Sequence, residues 1–101
     1  MDNTSYDENI EICIPYVNNY YSYADIYNIF KKLNWGSIKD IRFYYKKNTQ
    51  MKTVVVIFNK WYNSVNSSVN DIKNDLCKGE AYKIMYDFPK YWKCYKNKYS
   101  T

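Results

Sequence analysis

The chain has 101 residues, a formal net charge of +5, a sequence isoelectric point near 9.0, three cysteines and no histidine. That length supports one domain around one core and leaves no room for a separate catalytic module. Cys13, Cys77 and Cys94 are widely spaced, odd in number and without histidine partners, so neither a zinc site nor a disulfide framework is indicated, and no apolar run nears the roughly 20 residues that span a bilayer.

Residues 1–9, "MDNTSYDEN", are polar and acidic and read as a flexible N-terminal segment rather than a secretory signal. With the cysteine pattern, this leads to the expectation of an intracellular, cytoplasmic protein with no membrane partner. In "IEICIPYV" the isoleucines Ile10, Ile12 and Ile14 alternate with Glu11 and Cys13, which predicts a first strand ending at Pro15. Ser22, with Asp25 three residues on, reads as a helix N-cap. Ile26, Ile29, Phe30 and Leu33 then form one apolar stripe, and Gly36 is expected to close the helix.

A second strand is predicted in "SIKDIRFYYKK", where Ile41 and Phe43 alternate with Arg42 and Tyr44, and Lys46, Lys47 and Asn48 begin a polar turn. "KTVVVIFNKWY" carries the third strand. Val54, Val56 and Phe58 face one way and Thr53, Val55 and Ile57 the other, a pattern for a central strand, and Trp61 and Tyr62 anchor its exit. Val65, Val69, Ile72 and Leu76 predict a surface helix over residues 63–78, stopped by Gly79. A fourth strand, "AYKIMYDF", alternates Tyr82, Ile84 and Tyr86 against Lys83 and Met85 as far as Pro89. Residues 89–101 read as a basic aromatic tail; Tyr91, Tyr95 and Tyr99, four apart, would permit a short amphipathic helix.

The expected order is βαββαβ over residues 10–88: an α+β, ferredoxin-like sandwich with two helices on one face of a four-stranded antiparallel sheet. Ile12, Ile14, Ile41, Phe43, Val54, Val56, Phe58 and Ile84 would lie beneath the helices. Cys13, Arg42, Tyr44, Thr53, Val55, Ile57, Lys83 and Met85 would form an uncovered face.

This order, with Ile26, Phe30, Gly36, Ile38 and Ile41 spaced around the first helix, resembles the RNA recognition motif. "CIPYV", "VIFNKWYN" and "YDFPKYWK" make it similar in particular to the short single-domain members of that family in large DNA viruses. The resemblance implies binding of single-stranded RNA by bases stacked on aromatic rings of the open sheet face. It puts Cys13 at the first-strand ring position and Thr53 and Val55 at the two on the third strand, so all three rings are missing.

Candidate substitutes are Tyr44 with Arg42, the hairpin lysines Lys46, Lys47 and Lys52, Lys83 and Met85 on the fourth strand, and Tyr91, Trp92, Lys93 and Tyr95 in the tail. Trp92 could instead fold as a lid over Val55, Ile57 and Met85. The lysine charge carries reduced weight, because Lys, Asn, Ile and Tyr are together what an A- and T-rich genome produces, and Arg42 is the single arginine.

No catalytic role is expected: no histidine is present, Asp25, Asp40, Asp71, Asp75 and Asp87 are scattered, and "PYVNNYYSY" lacks the arginine and glycines of a phosphate cradle. A non-catalytic binding module follows, needing no cofactor or small-molecule substrate. The alternative to RNA is a protein partner or self-association through the open face, as expected of a viral assembly or virion component.

Overall fold

The computed structural model describes residues 10–62 and 68–97. They form an α+β fold of two helices and one five-stranded antiparallel sheet. In chain order the elements are β1 (Ile12–Asn18), α1 (Tyr23–Leu33), β2 (Gly36–Tyr45), β3 (Met51–Trp61), α2 (Ser68–Cys77), β4 (Tyr82–Asp87) and β5 (Lys90–Lys96). The strands lie side by side as β2-β3-β1-β5-β4.

The fifth strand corrects the expected count of four, and it forms from the segment read as a tail. Trp92 and Cys94 are buried while Tyr91, Lys93 and Tyr95 are exposed, an alternation with the period of a strand and not of a helix. β5 joins the sheet between β1 and β4, and Asp87 pairs with Lys90 across a two-residue connection, Phe88–Pro89.

α1 starts as expected. The Ser22 hydroxyl accepts from the Asp25 amide at 3.2 Å, and the Asp25 carboxylate accepts from the Ser22 amide at 2.9 Å. Its end differs: Asn34, not Gly36, takes the left-handed cap at φ 58°, with its amide bonded to the Phe30 carbonyl. Gly36 opens β2 instead, where a Cβ would lie 2.3 Å from the Lys60 carbonyl oxygen of β3. Asn can enter the left-handed region, so the glycine was free for the close strand approach. α2 carries Val69, Ile72 and Leu76 inward and is followed by Gly79 at φ +93°; the earlier part of the expected helix, Val65 included, lies outside the described residues.

β1 does not stop at Pro15. It continues to Asn18 through a bulge between Ile14 and Val17 and pairs with β3 on both sides of it. A proline in a strand is accommodated at such a break because it has no ladder hydrogen bond to give.

Both helices cover the same face, α1 over β2 and α2 over β4 and β5. The core between them holds every residue expected there, with Phe43 at its margin, and adds Ile10, Val17, Trp35, Trp61, Trp92 and Cys94. Two aromatic groups close it. Trp61 stacks on Trp35 at 5.8 Å between centroids and donates its indole N–H to the Ile10 carbonyl at 2.9 Å. Trp92 stacks on Tyr86 at 3.9 Å and meets Tyr21 edge-on at 5.3 Å. Among the described residues no helix is long and apolar enough to cross a membrane.

Candidate nucleic-acid interface

The strand alternation that buries the core presents Thr53, Val55 and Ile57 of β3 and Tyr91, Lys93 and Tyr95 of β5 on the opposite face, which neither helix covers. Register aligns one row straight across four strands: Arg42 beside Val55, Val55 beside Cys13, Cys13 beside Tyr95. With strands about 4.8 Å apart, Arg42 and Tyr95 stand about 14 Å from each other. The next row sets Tyr44 beside Thr53, whose hydroxyl donates to the Pro15 carbonyl at 3.2 Å. On β4 and β5, Lys83 stands opposite Lys93 and Met85 opposite Tyr91.

The centre of this face is shallow and small-sided, and its rim is aromatic. Val55 is buried, and Cys13 and Thr53 are half-buried. Around them Tyr16, Tyr44, Tyr91 and Tyr95 are exposed, at 65, 53, 43 and 37%. Cations accompany the rings: the Lys46 ammonium lies 4.7 Å from the Tyr16 centroid and that of Lys83 lies 4.8 Å from the Tyr91 centroid. Arg42 is held in its charged form by hydrogen bonds to Tyr44 and to Asp40, whose carboxylate is 3.5 Å from its Nε. Burial pushes the Cys13 thiol up, and nearby Lys46 partly opposes that. Lys47 is exposed on the hairpin next to Asn48, which takes the left-handed conformation.

Two candidates lie elsewhere. Lys52 shares the face of Val54 and Val56 and is buried on the helix side, where its ammonium donates to the Tyr21 carbonyl and sits 3.8 Å from the Phe43 centroid. Burial lowers its pKa and the field of Asp25 opposes the shift. Trp92 is in the core against Tyr86, so it forms no lid over Val55, Ile57 and Met85.

Of the rim residues, Tyr16 was not among the sequence candidates, and Tyr95 was named there only as part of a tail. Tyr95 has the parity of Lys93 and Tyr91 and becomes legible once the segment is read as a strand. Tyr16 has the parity of Ile12 and Ile14; only the bulge turns it outward, and it leaves Val17 to fill the core.

The cysteines differ in setting: Cys77 is exposed, and Cys94 is buried with its thiol pushed up to about 12 by desolvation. Among the described residues no group of three or more Cys, Asp or Glu could hold a metal ion. Comparison with protein-family models, curated proteins and solved structures gives no match for this chain.

Proposed function

We propose that the protein is a non-catalytic module that binds single-stranded RNA on the open face of its sheet, weakly and with little sequence preference. The observation that carries this reading is the ring of exposed tyrosines, Tyr16, Tyr44, Tyr91 and Tyr95, interleaved with Arg42, Lys46, Lys83 and Lys93 on a face no helix covers. Each base stacked on such a ring contributes about 1 to 3 kcal/mol, and the adjacent cations pair with phosphates. Lys83 and Lys93, directly opposite each other, repel; a phosphate between them relieves that.

In this reading the fold is a ferredoxin-like, RNA-recognition-motif type core in which β5 occupies the place beside β1 and β4 is displaced to the edge. The rings have moved from the centre of the face, where Cys13, Thr53 and Val55 now stand, to its perimeter. Such a rim touches several nucleotides along its length, which fits degenerate binding.

The test is a titration of labelled single-stranded RNA at two salt concentrations, with the intact chain and with a Tyr44→Ala, Tyr95→Ala double variant. Expected are affinity that falls as salt rises and a further loss in the variant. No binding at low salt overturns the proposal. Concentration-dependent sedimentation in its place favours the alternative, self-association through the exposed Met85 and Tyr91 surface.

A further inference from the structure

β1 and β5 are paired at Ile12–Lys96 and Cys13–Tyr95 and no further. The reason lies in Pro15. Antiparallel pairs alternate between hydrogen-bonded and non-bonded. The Asn97 amide donates to the Glu11 carbonyl at 2.8 Å, so Cys13–Tyr95 is the next bonded pair, and Pro15–Lys93 would follow it. Proline has no N–H, so the Lys93 carbonyl meets no ladder donor there. The bulge after Ile14 then carries β1 away from β5.

The strands part into a groove of about 470 Å³ lined by Pro15, Tyr16, Tyr91, Trp92, Lys93 and Tyr95. That volume is within the range of small-ligand sites. The walls are aromatic, the Lys93 carbonyl is an acceptor, and the ammonium groups of Lys46 and Lys83 stand over the Tyr16 and Tyr91 rings.

We propose that this groove receives one unstacked nucleobase of a bound single-stranded RNA, its ring lying among Tyr16, Tyr91 and Tyr95 and an amino or imino N–H donating to the Lys93 carbonyl. The phosphates on either side pair with Lys46 and Lys83. The inference rests on the open-face RNA reading and deepens it, by assigning one position on that face where a base is enclosed. An added peptide strand does not fit. It would need β1 and β5 about 10 Å apart, twice the strand spacing, whereas they are held at one spacing at Cys13–Tyr95, two residues from Lys93. A flat base enters such a wedge edge-on. The cations favour a ligand that carries negative charge beside its apolar ring.

The experiment titrates the full chain with a labelled oligouridylate and a labelled oligoadenylate at low salt, followed by fluorescence anisotropy. Tyr16→Ala removes one wall, and Pro15→Thr restores the N–H that closes the ladder onto Lys93. Each is expected to weaken binding by roughly 5- to 150-fold, the loss of one base stack. Tyr44→Ala, outside the groove, reports on the face as a whole. Binding that Tyr44→Ala weakens but Tyr16→Ala leaves within about twofold overturns the groove and leaves the open-face reading standing. No binding by the unaltered chain overturns both. If circular dichroism shows that Pro15→Thr does not fold, Tyr16→Ala decides alone, because that side chain is 65% exposed.

Discussion

Trp92→Ala separates a strand in the core from a tail outside it. The indole is 5% exposed, stacked on Tyr86 at 3.9 Å and edge-on to Tyr21 at 5.3 Å. A tryptophan buries about 150 to 250 Å² of surface, which at about 25 cal/mol per Å² contributes about 4 to 6 kcal/mol. Measured truncations of this kind cost about 3 to 5 kcal/mol, since the neighbours relax partly into the cavity. A domain of this size holds about 5 to 15 kcal/mol in total, so the change removes between about a fifth and all of it. Its Tm falls by at least about 12 °C, at about 4 °C or more per kcal/mol. Tyr91→Ala, the next residue on the same strand but pointing to solvent, costs under about 1 kcal/mol. Urea unfolding followed by far-ultraviolet circular dichroism measures both. Equal and small effects would refute the placement of β5, because a tail lying outside the core loses little from either change.

Cys94 gives the protein an alkaline weakness. Its buried thiol keeps its proton up to about 12 in the folded state, while the unfolded thiol releases it near pH 9, so the unfolded form binds fewer protons in between. Stability therefore falls as pH rises from about 9, by about 1.4 kcal/mol per pH unit for this thiol. Lys52, lowered by burial, acts in the opposite sense, so the flatter slope of Cys94→Ala in urea unfolding at two alkaline pH values isolates the thiol. Gly36→Ala sets a Cβ 2.3 Å from the Lys60 carbonyl, and separating β2 from β3 there costs about 1 to 3 kcal/mol in the same assay. Ser22→Ala removes the side-chain half of the α1 cap and lowers stability by about 1 kcal/mol, whereas Ser22→Gly loses only a few tenths.

The parity of apolar residues made most of the core legible. Ile12, Ile14, Ile41, Val54, Val56, Phe58 and Ile84 are buried where alternation put them, since a strand that must cover one face has no other register. The tail misled because Tyr91 and Tyr95 are four apart, and four residues return to the same face in a strand as well as in a helix. The alternation of Trp92 and Cys94 with lysine and tyrosine was the discriminating signal. Lys52 misled in another way: its parity with Val54 pointed inward and its charge outward. Parity won because the ammonium, once inside, finds the Tyr21 carbonyl and the face of the Phe43 ring. Tyr16 was beyond reach, because a bulge changes which residues share a face and depends on partner strands distant in the chain.

The position of β5 also governs when the sheet can be completed. A chain made from its N-terminus can pair β2 with β3, and β3 with β1, before residues 90–96 exist. β4 has no other neighbour in the sheet, so it waits for β5. Until then β1 presents a bare edge, and the core lacks Trp92 and Cys94. The last described strand to leave the ribosome is thus the one that joins the two parts of the sheet. Its contact with β1 spans more than eighty residues of chain, so that pair carries a larger loop-closure entropy than the hairpin that joins β2 to β3.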